Sequence, residues 1–481
     1  MTHEEPHRQH YNITLSVLVL GGITFSLLQS LVLPALPTMQ KDLHTSVSSV
    51  AWVLTAYLLS ASVATPILGR LGDMFGKEKM LMASLIGLAI GTFLAAIATN
   101  ISLMIVARAI QGIGAGIFPL AFGIIRDEFP RDKVAGCIGL MSALLGVGGG
   151  LGVVFAGPII DNLNYHWLFW LPLIGILVCI VMTHFFIPES PIKTPASINW
   201  LGAFLMSAGL TAVLVAISEA TVWGWGSPKT IGLTLVGLVI LGAWIWAELR
   251  AKSPLVDMRM MQIKGVWTTN LVAFLLGVGM YSSFILIPEF VQLPKSTGFG
   301  FGASLIESGL FLLPATLAMV VVGQFAGRLE KRFGSKPPLI AGSLFTSASF
   351  LVLVVAHSQK WEIYVSTLFL GLGIGLAFAA MANLIVQAVP QNQTGVATGM
   401  NTVLRSLGGA MGGQIAASFL AGNVIAATGL TSERGFQIAF IFCAVALLLS
   451  VGVGFLIPGR QLHAAAEAER LAPIPAAATE A

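Results

Sequence analysis

Apolar residues along this chain do not alternate with polar ones; they run together in blocks. Fourteen apolar segments lie at about 13–33, 50–69, 79–99, 102–125, 134–158, 167–187, 198–218, 230–248, 266–290, 303–326, 337–356, 362–388, 395–421 and 435–457, separated by polar stretches. Each comes near the roughly 20 residues that an α-helix needs to cross a bilayer. Helices are required, because a lone spanning segment must satisfy its own backbone hydrogen bonds in hydrocarbon. The pattern predicts an all-α integral membrane protein with fourteen spans. The polar start to about Tyr11 runs straight into a first span too long for a signal-peptide h-region, so no cleaved signal is expected.

Composition sharpens this. The chain is 56% hydrophobic and 10% charged, against about 25% charged in a soluble globule. Cys137, Cys179 and Cys443 stand singly inside apolar segments, which suggests neither a disulfide framework nor a thiolate metal site. A net charge of +4 matters less than where the charges lie. With the N-terminus in the cytoplasm, 18 of the 25 Lys and Arg residues fall on that side. Five fall opposite (Lys41, Lys229, Lys295, Lys360, Arg434), and two, Arg108 and Arg405, lie within spans. That excess predicts cytoplasmic termini and a multi-pass protein of the plasma (inner) membrane. All ten tryptophans sit close to span ends, where amphipathic rings meet the interface.

One pattern is repeated. Gly69-Arg-Leu-Gly-Asp73-Met-Phe-Gly76-Lys-Glu-Lys79 returns as Gly327-Arg-Leu-Glu-Lys331-Arg-Phe-Gly334-Ser-Lys336, an offset of 258 from Gly69 to Gly327. Gly112-Ile-Gly-Ala-Gly116 returns at Gly371–Gly375, offset 259, and Pro130 at Pro390, offset 260. A near-constant offset shared by unlike motifs marks a duplicated membrane unit, the construction of many secondary transporters. The chain then divides into a tail (1–12), a six-helix bundle (13–190), an inserted helix pair with its linker (191–264), a second six-helix bundle (265–458) and a tail (459–481). The last is rich in Ala, Pro and Glu and is expected to be disordered and cytoplasmic.

These motifs carry a resemblance. The Gly69–Lys79 loop resembles the signature loop of the major facilitator superfamily. Arg108-Ala-Ile-Gln111-Gly112-Ile-Gly114-Ala-Gly116 in span 4 is similar to its second motif. Gly148-Gly-Gly-Leu-Gly152 followed by Gly157-Pro158 in span 5 resembles the antiporter motif of drug exporters. Six plus two plus six spans is the layout of the fourteen-span drug:proton antiporter branch. There is one departure. Members of that branch usually place an Asp in span 1 seven residues before Ala-Leu-Pro. Here Ala35-Leu36-Pro37 is present, but the position is Leu28, with Gln29 beside it. Neither a span 1 carboxylate nor a preference for cationic drugs is carried over.

Physical reasoning gives the motifs roles. Gly69, Gly72 and Gly76 allow a tight reversal and close helix approach. Asp73 can meet a helix N-terminus or an Arg such as Arg126, latching one side in one state. Arg70 and Lys77 belong to the same loop, whose plainer role is to set topology. Lys331 replaces Asp73 in the second copy, and topology alone gives no reason for that change of sign. Arg108, with Gln111 one turn on, needs a polar cavity or a partner within the membrane. So does Arg405, which shares a helical face with Asn401. A proton-coupled carrier also needs an acid that loads and unloads near neutral pH. Glu289, after Pro288, leads the candidates, followed by Glu307, Asp161 and Glu219; interfacial acids in contact with water are the plainer reading. The rows Gly148/Gly152 and Gly408/Gly412 are read as close-packing surfaces between the halves.

No histidine cluster, phosphate-binding loop or grouped carboxylates point to an enzyme or to ATP drive. The resemblance therefore implies proton-coupled export of amphipathic or hydrophobic small molecules, multidrug efflux by alternating access. No cofactor or metal is expected, the proton gradient supplying energy. The partners expected are substrate, protons and lipid, with no nucleic acid, and the protein is expected to be a monomer. The alternatives are export of one endogenous lipid or metabolite, or a non-transporting sensor.

Overall fold

Uninterrupted apolar sequence can bury its backbone polar groups only by coiling, and helices account for most of the described residues. The computed structural model describes residues 11–45, 47–189, 199–425, 428 and 430–458. Residues 1–10 of the first tail, the whole expected tail 459–481 and residues 190–198 between the first bundle and the inserted pair lie outside the described residues. The long helices are α1 (Tyr11–Leu31), α2 (Val47–Phe75), α3 (Lys77–Ala96), α4 (Ile101–Glu128), α5 (Arg131–Asn162), α6 (Trp167–Phe186) and α7 (Trp200–Trp223). They continue as α8 (Pro228–Arg250), α9 (Lys264–Gln292), α10 (Leu305–Phe333), α11 (Lys336–Val355), α12 (Lys360–Ala388), α13 (Thr394–Gly422) and α14 (Glu433–Leu456). Thirteen are long and apolar enough to cross a membrane. The fourteenth, α13, spans 29 residues but carries Asn401, Arg405 and seven glycines. No strand occurs among the described residues, only an isolated bridge between Val424 and Thr431.

The duplication appears as repeated packing. In the first half α1 lies against α5 and α6, α3 against α4 and α6, and α2 against α4. Adding eight to each label gives the second half: α9 against α13 and α14, α11 against α12 and α14, and α10 against α12. The halves meet most extensively at α5 on α10 and α13 on α2, with lesser contacts of α5 on α12 and α13 on α4, and the same shift exchanges the two members of each pair. Each half has its own core, with Phe25, Phe118 and Phe169 in the first and Phe311, Phe350 and Phe440 in the second.

The inserted pair α7 and α8 packs together, and α7 reaches the seam between α2 and α13. Met206 of α7 and Trp244 of α8 join Met260, Val396 and Met400 in a third cluster. The outer face of α8 leaves Leu235, Leu238 and Val239 exposed, Val239 by 72%. An apolar belt of that extent is stable only against lipid.

The duplicated loop is explained by its glycines. Gly76 ends α2 at φ 120° and its copy Gly334 ends α10 at φ 76°, both in the region that favours glycine. Where the halves touch, the close approach is also glycine on glycine. A Cβ built on Gly69 would overlap the carbonyl of Gly395, and one on Gly327 would come within 2.7 Å of Cα of Gly136. Gly327 copies Gly69, and Gly395 stands 259 positions after Gly136, so one contact is made twice.

The glycine rows correct the expectation set out above. Gly148 and Gly152 face Ser26 and Ser30 of α1, within the first half. Gly408 and Gly412 face Phe274 and Val278 of α9, within the second. A different row on α5, Gly146, Gly150 and Gly157, meets Met319, Thr316 and Ile306 of α10 across the halves. Sequence spacing marks a small-residue face but not the partner pressed against it. Pro158 lies inside α5, which continues to Asn162.

Candidate functional site

Two features define the site: a seal at one end of the bundle and a cavity between the halves. The seal forms where the duplicated loop emerges. Asp73, fully buried at the last turn of α2, accepts a bond from the backbone N–H of Val396 in the first turn of α13, at 3.4 Å. The orphan amides and positive dipole of a helix N-terminus suit a carboxylate. Lys77 lies between two acids, 3.5 Å from Asp73 and 2.8 Å from Asp127, with all three side chains buried. Arg126 reaches the α12–α13 connection. It donates to the carbonyls of Val389 (2.8 Å) and Pro390 (3.3 Å) and to the hydroxyl of Thr394. First-half cations and acids thus hold the α12–α13 connection and the start of α13. At the other glycine contact, Asn383 donates to the carbonyl of Ala135 at 3.1 Å. Arg70 is half-buried on α2, and Gly72 presses against Leu120 of α4.

Above the seal lies a cavity of about 520 Å³. Both halves line it: Gln29, Tyr57 and Arg108 from the first, Tyr281, Phe378 and Arg405 from the second. The inserted α7 contributes Ser218, Glu219 and the exposed Thr221 and Val222, so the cavity reaches toward the end opposite the seal. Gln29 donates to the hydroxyl of Tyr281 at 3.3 Å across the halves. Arg108 is 0% exposed; its Nε donates to the carbonyl of Val53 at 3.1 Å and its Nη1 to Gln111 Oε1 at 2.7 Å. Gln111 in turn donates to Thr92 at 3.1 Å. The guanidinium stacks over the Tyr57 ring, 4.3 Å from its centroid. Arg405, 6% exposed, lies over Phe378 at 4.7 Å. Cation–π contact of this kind offsets part of the desolvation of a buried cation.

Not every candidate reaches the cavity. Asn401 donates to Asn270 at 2.9 Å and borders a small crevice beside Arg405. Glu289 is exposed on α9 and is not among the lining residues. Glu307 is exposed and completes a capping box, its carboxylate accepting from the Ser304 amide at 3.1 Å while Ser304 accepts from its own. Asp161 lies in the last turn of α5, and its side chain is outside the described residues. A second concavity, about 630 Å³ between α10 and α12, is apolar apart from Tyr364 and includes Leu317 and Val321, exposed by more than half. It carries no chemistry and belongs to the lipid-facing surface.

A family model described as Major Facilitator Superfamily matches residues 18–413, across both halves and the inserted pair. The chain belongs to the major facilitator superfamily. Among proteins it is similar to, the multidrug transporter protein MdtP of Bacillus subtilis is 29% identical over 385 residues, 79% of this chain and 69% of that one. The tetracenomycin C resistance and export protein of Streptomyces glaucescens is 26% identical, covering 85% of this chain and 76% of its own. In fold, the human organic anion transporter MFSD10 (TETRAN) aligns at a TM-score of 0.66 with 16% identity, over 94% of this chain and 100% of that chain.

Within this superfamily framework, sequence reasoning passed over the cavity's aromatics. Tyr57, Tyr281 and Phe378 flank its two arginines and its cross-half hydrogen bond. A signal was present, because Tyr57 and Tyr281 fall well inside α2 and α9 and the chain has only five tyrosines. A hydroxyl at that depth needs a polar neighbour.

Proposed function

We propose that this protein is a proton-coupled exporter of amphipathic small molecules, working by alternating access in the plasma membrane with its sealed end in the cytoplasm. The observation that carries the reading is the unequal ends of the cavity. Glycine contacts, Asp73 and Arg126 close one end, while the lining extends to exposed residues of α7 at the other. Two bundles joined by repeated contacts can rock about them, breaking the seal as the opposite end closes. The excess of cations on the sealed side supports the orientation. Export is extended from two relatives whose names describe a multidrug transporter and a resistance and export protein.

Proton exchange is assigned to Glu219. Among the candidate acids whose side chains are described, it alone lines the cavity. Each charge crossing 100 mV contributes about 2.3 kcal/mol, so inward proton movement is a sufficient drive. The test is uptake of a fluorescent dye into inverted vesicles energised with a proton gradient. Uptake that persists after the gradient is collapsed would sink the coupling. No gradient-driven movement of any amphipathic dye would sink the transport reading.

A further inference from the structure

Resting on that transport reading, we infer that the central cavity takes an amphipathic anion, whose carboxylate, sulfonate or phosphate is held by Arg405 and Arg108.

The charge on the cavity is unbalanced. Both guanidiniums line one cavity, and among the described residues neither forms a salt bridge. The Arg405 guanidinium makes no hydrogen bond or ion pair among the described residues and lies over the Phe378 ring. Arg108 uses Nε and Nη1 on neutral acceptors and leaves Nη2 buried without a partner. A membrane-embedded cation with no counter-charge is costly, and arginines at such depth face a cavity, a partner or a ligand. Two on one cavity, against the single lining acid Glu219, leave a positive excess for a ligand to balance.

Hydrogen-bond capacity points the same way. Tyr57 Oη and Ser26 Oγ, from two further lining residues, are also buried without partners. Arg108 Nη2 can only donate, and the two hydroxyls can donate as well. The unsatisfied groups therefore call for an acceptor-rich ligand head. The rest of the lining, including Leu54, Leu58, Met280 and Phe284, supplies an apolar wall for its body. Glu219 is the one acid on the lining. With Arg108 and Arg405 the cavity's formal balance is one positive charge before the ligand arrives. Expelling an anion from a cell whose interior is negative is itself favoured, by about 2.3 kcal/mol per charge at 100 mV.

The test uses three probes with one fluorophore: dansylphenylalanine (an anion), its neutral methyl ester, and dansylcadaverine (a cation). Binding is measured by dansyl fluorescence on the full chain in phosphatidylcholine nanodiscs. The acid is expected to bind more tightly than ester or amine by about tenfold or more, and Arg405→Gln to erase that preference. Arg405→Lys, which keeps the charge, is expected to retain most of it, separating charge recognition from loss of fold. Equal affinity for acid and ester, unchanged preference in Arg405→Gln, or no affinity for the acid would each overturn the assignment. Gradient-driven uptake of the amine instead, insensitive to Arg405→Gln, would also overturn it while leaving transport standing. Selective binding of the acid with no gradient-driven movement would uphold the anion site and sink transport.

Discussion

Gly69 and Gly395 meet backbone to backbone across the two halves, and a side chain on either would intrude on the other. A Cβ on Gly395 comes within 2.5 Å of the Gly69 carbonyl oxygen. The copied contact is looser in one direction, since a Cβ on Gly136 would find its nearest neighbour at 3.7 Å, an ordinary distance. Gly395→Val is therefore expected to hold the sealed end apart and Gly136→Ala to be tolerated. Overpacking of this kind costs about 1–3 kcal/mol, enough to lower the sealed population by roughly tenfold. Labelling of a cysteine introduced beside the seal, with dye efflux in parallel, checks both. Equal effects of the two variants would refute the asymmetry.

Lys77 is the cation between two buried carboxylates. Replacing it by Met leaves Asp73 and Asp127 buried without that countercharge, a change that costs about 3–5 kcal/mol for a broken buried pair. Lys77→Met is expected to lower the unfolding temperature and membrane abundance sharply. Asp73→Asn keeps an acceptor for the Val396 amide and is expected to lose far less stability while altering transport. Thermal unfolding of the purified variants decides, and similar melting of the two would count against this account.

Glu219 and Glu307 make opposite predictions. Glu219→Gln is expected to leave the protein folded and abolish dependence of efflux on the proton gradient. Glu307→Gln removes a charge from an exposed capping box and is expected to leave that dependence intact. Ser304→Ala removes the cap itself, at about 0.5–2 kcal/mol. The measurement is dye efflux with and without a collapsed gradient, and uncoupling by Glu307→Gln would reverse the assignment.

The glycine rows on α5 and α13 press on their own halves. A Cβ on Gly152 would come within 2.9 Å of the Leu31 amide, and one on Gly412 within 2.7 Å of Cα of Val278. Gly152→Ala and Gly412→Ala are both expected to destabilise, by about 1–3 kcal/mol each, without loosening the seal between the halves. Thermal unfolding together with the seal-labelling assay tests this; labelling that rises with unchanged stability would contradict it.

Much of this molecule was legible in the linear chain. Fourteen spans, the 258–260 offset, the tight loop at Gly76 and Gly334 and the membrane-embedded Arg108 and Arg405 all follow from local rules. Insertion depends on the hydropathy of consecutive residues, and a duplicated gene leaves its offset in the sequence. Depth along each helix was readable as well, because it is counted in residues from the span ends.

Rotation about each helix axis was not. A membrane helix is apolar on its lipid face and on its packed face, so no polar stripe marks which side turns inward. Glu289 and Glu219 both lie toward the outer ends of apolar runs, yet one is exposed on α9 and the other borders the cavity. The same ambiguity hid the aromatic partners of the arginines and assigned Gly148 and Gly152 to the wrong neighbour. Only the packing of fourteen helices against one another decides which face each presents, because that choice rests on contacts between residues hundreds of positions apart.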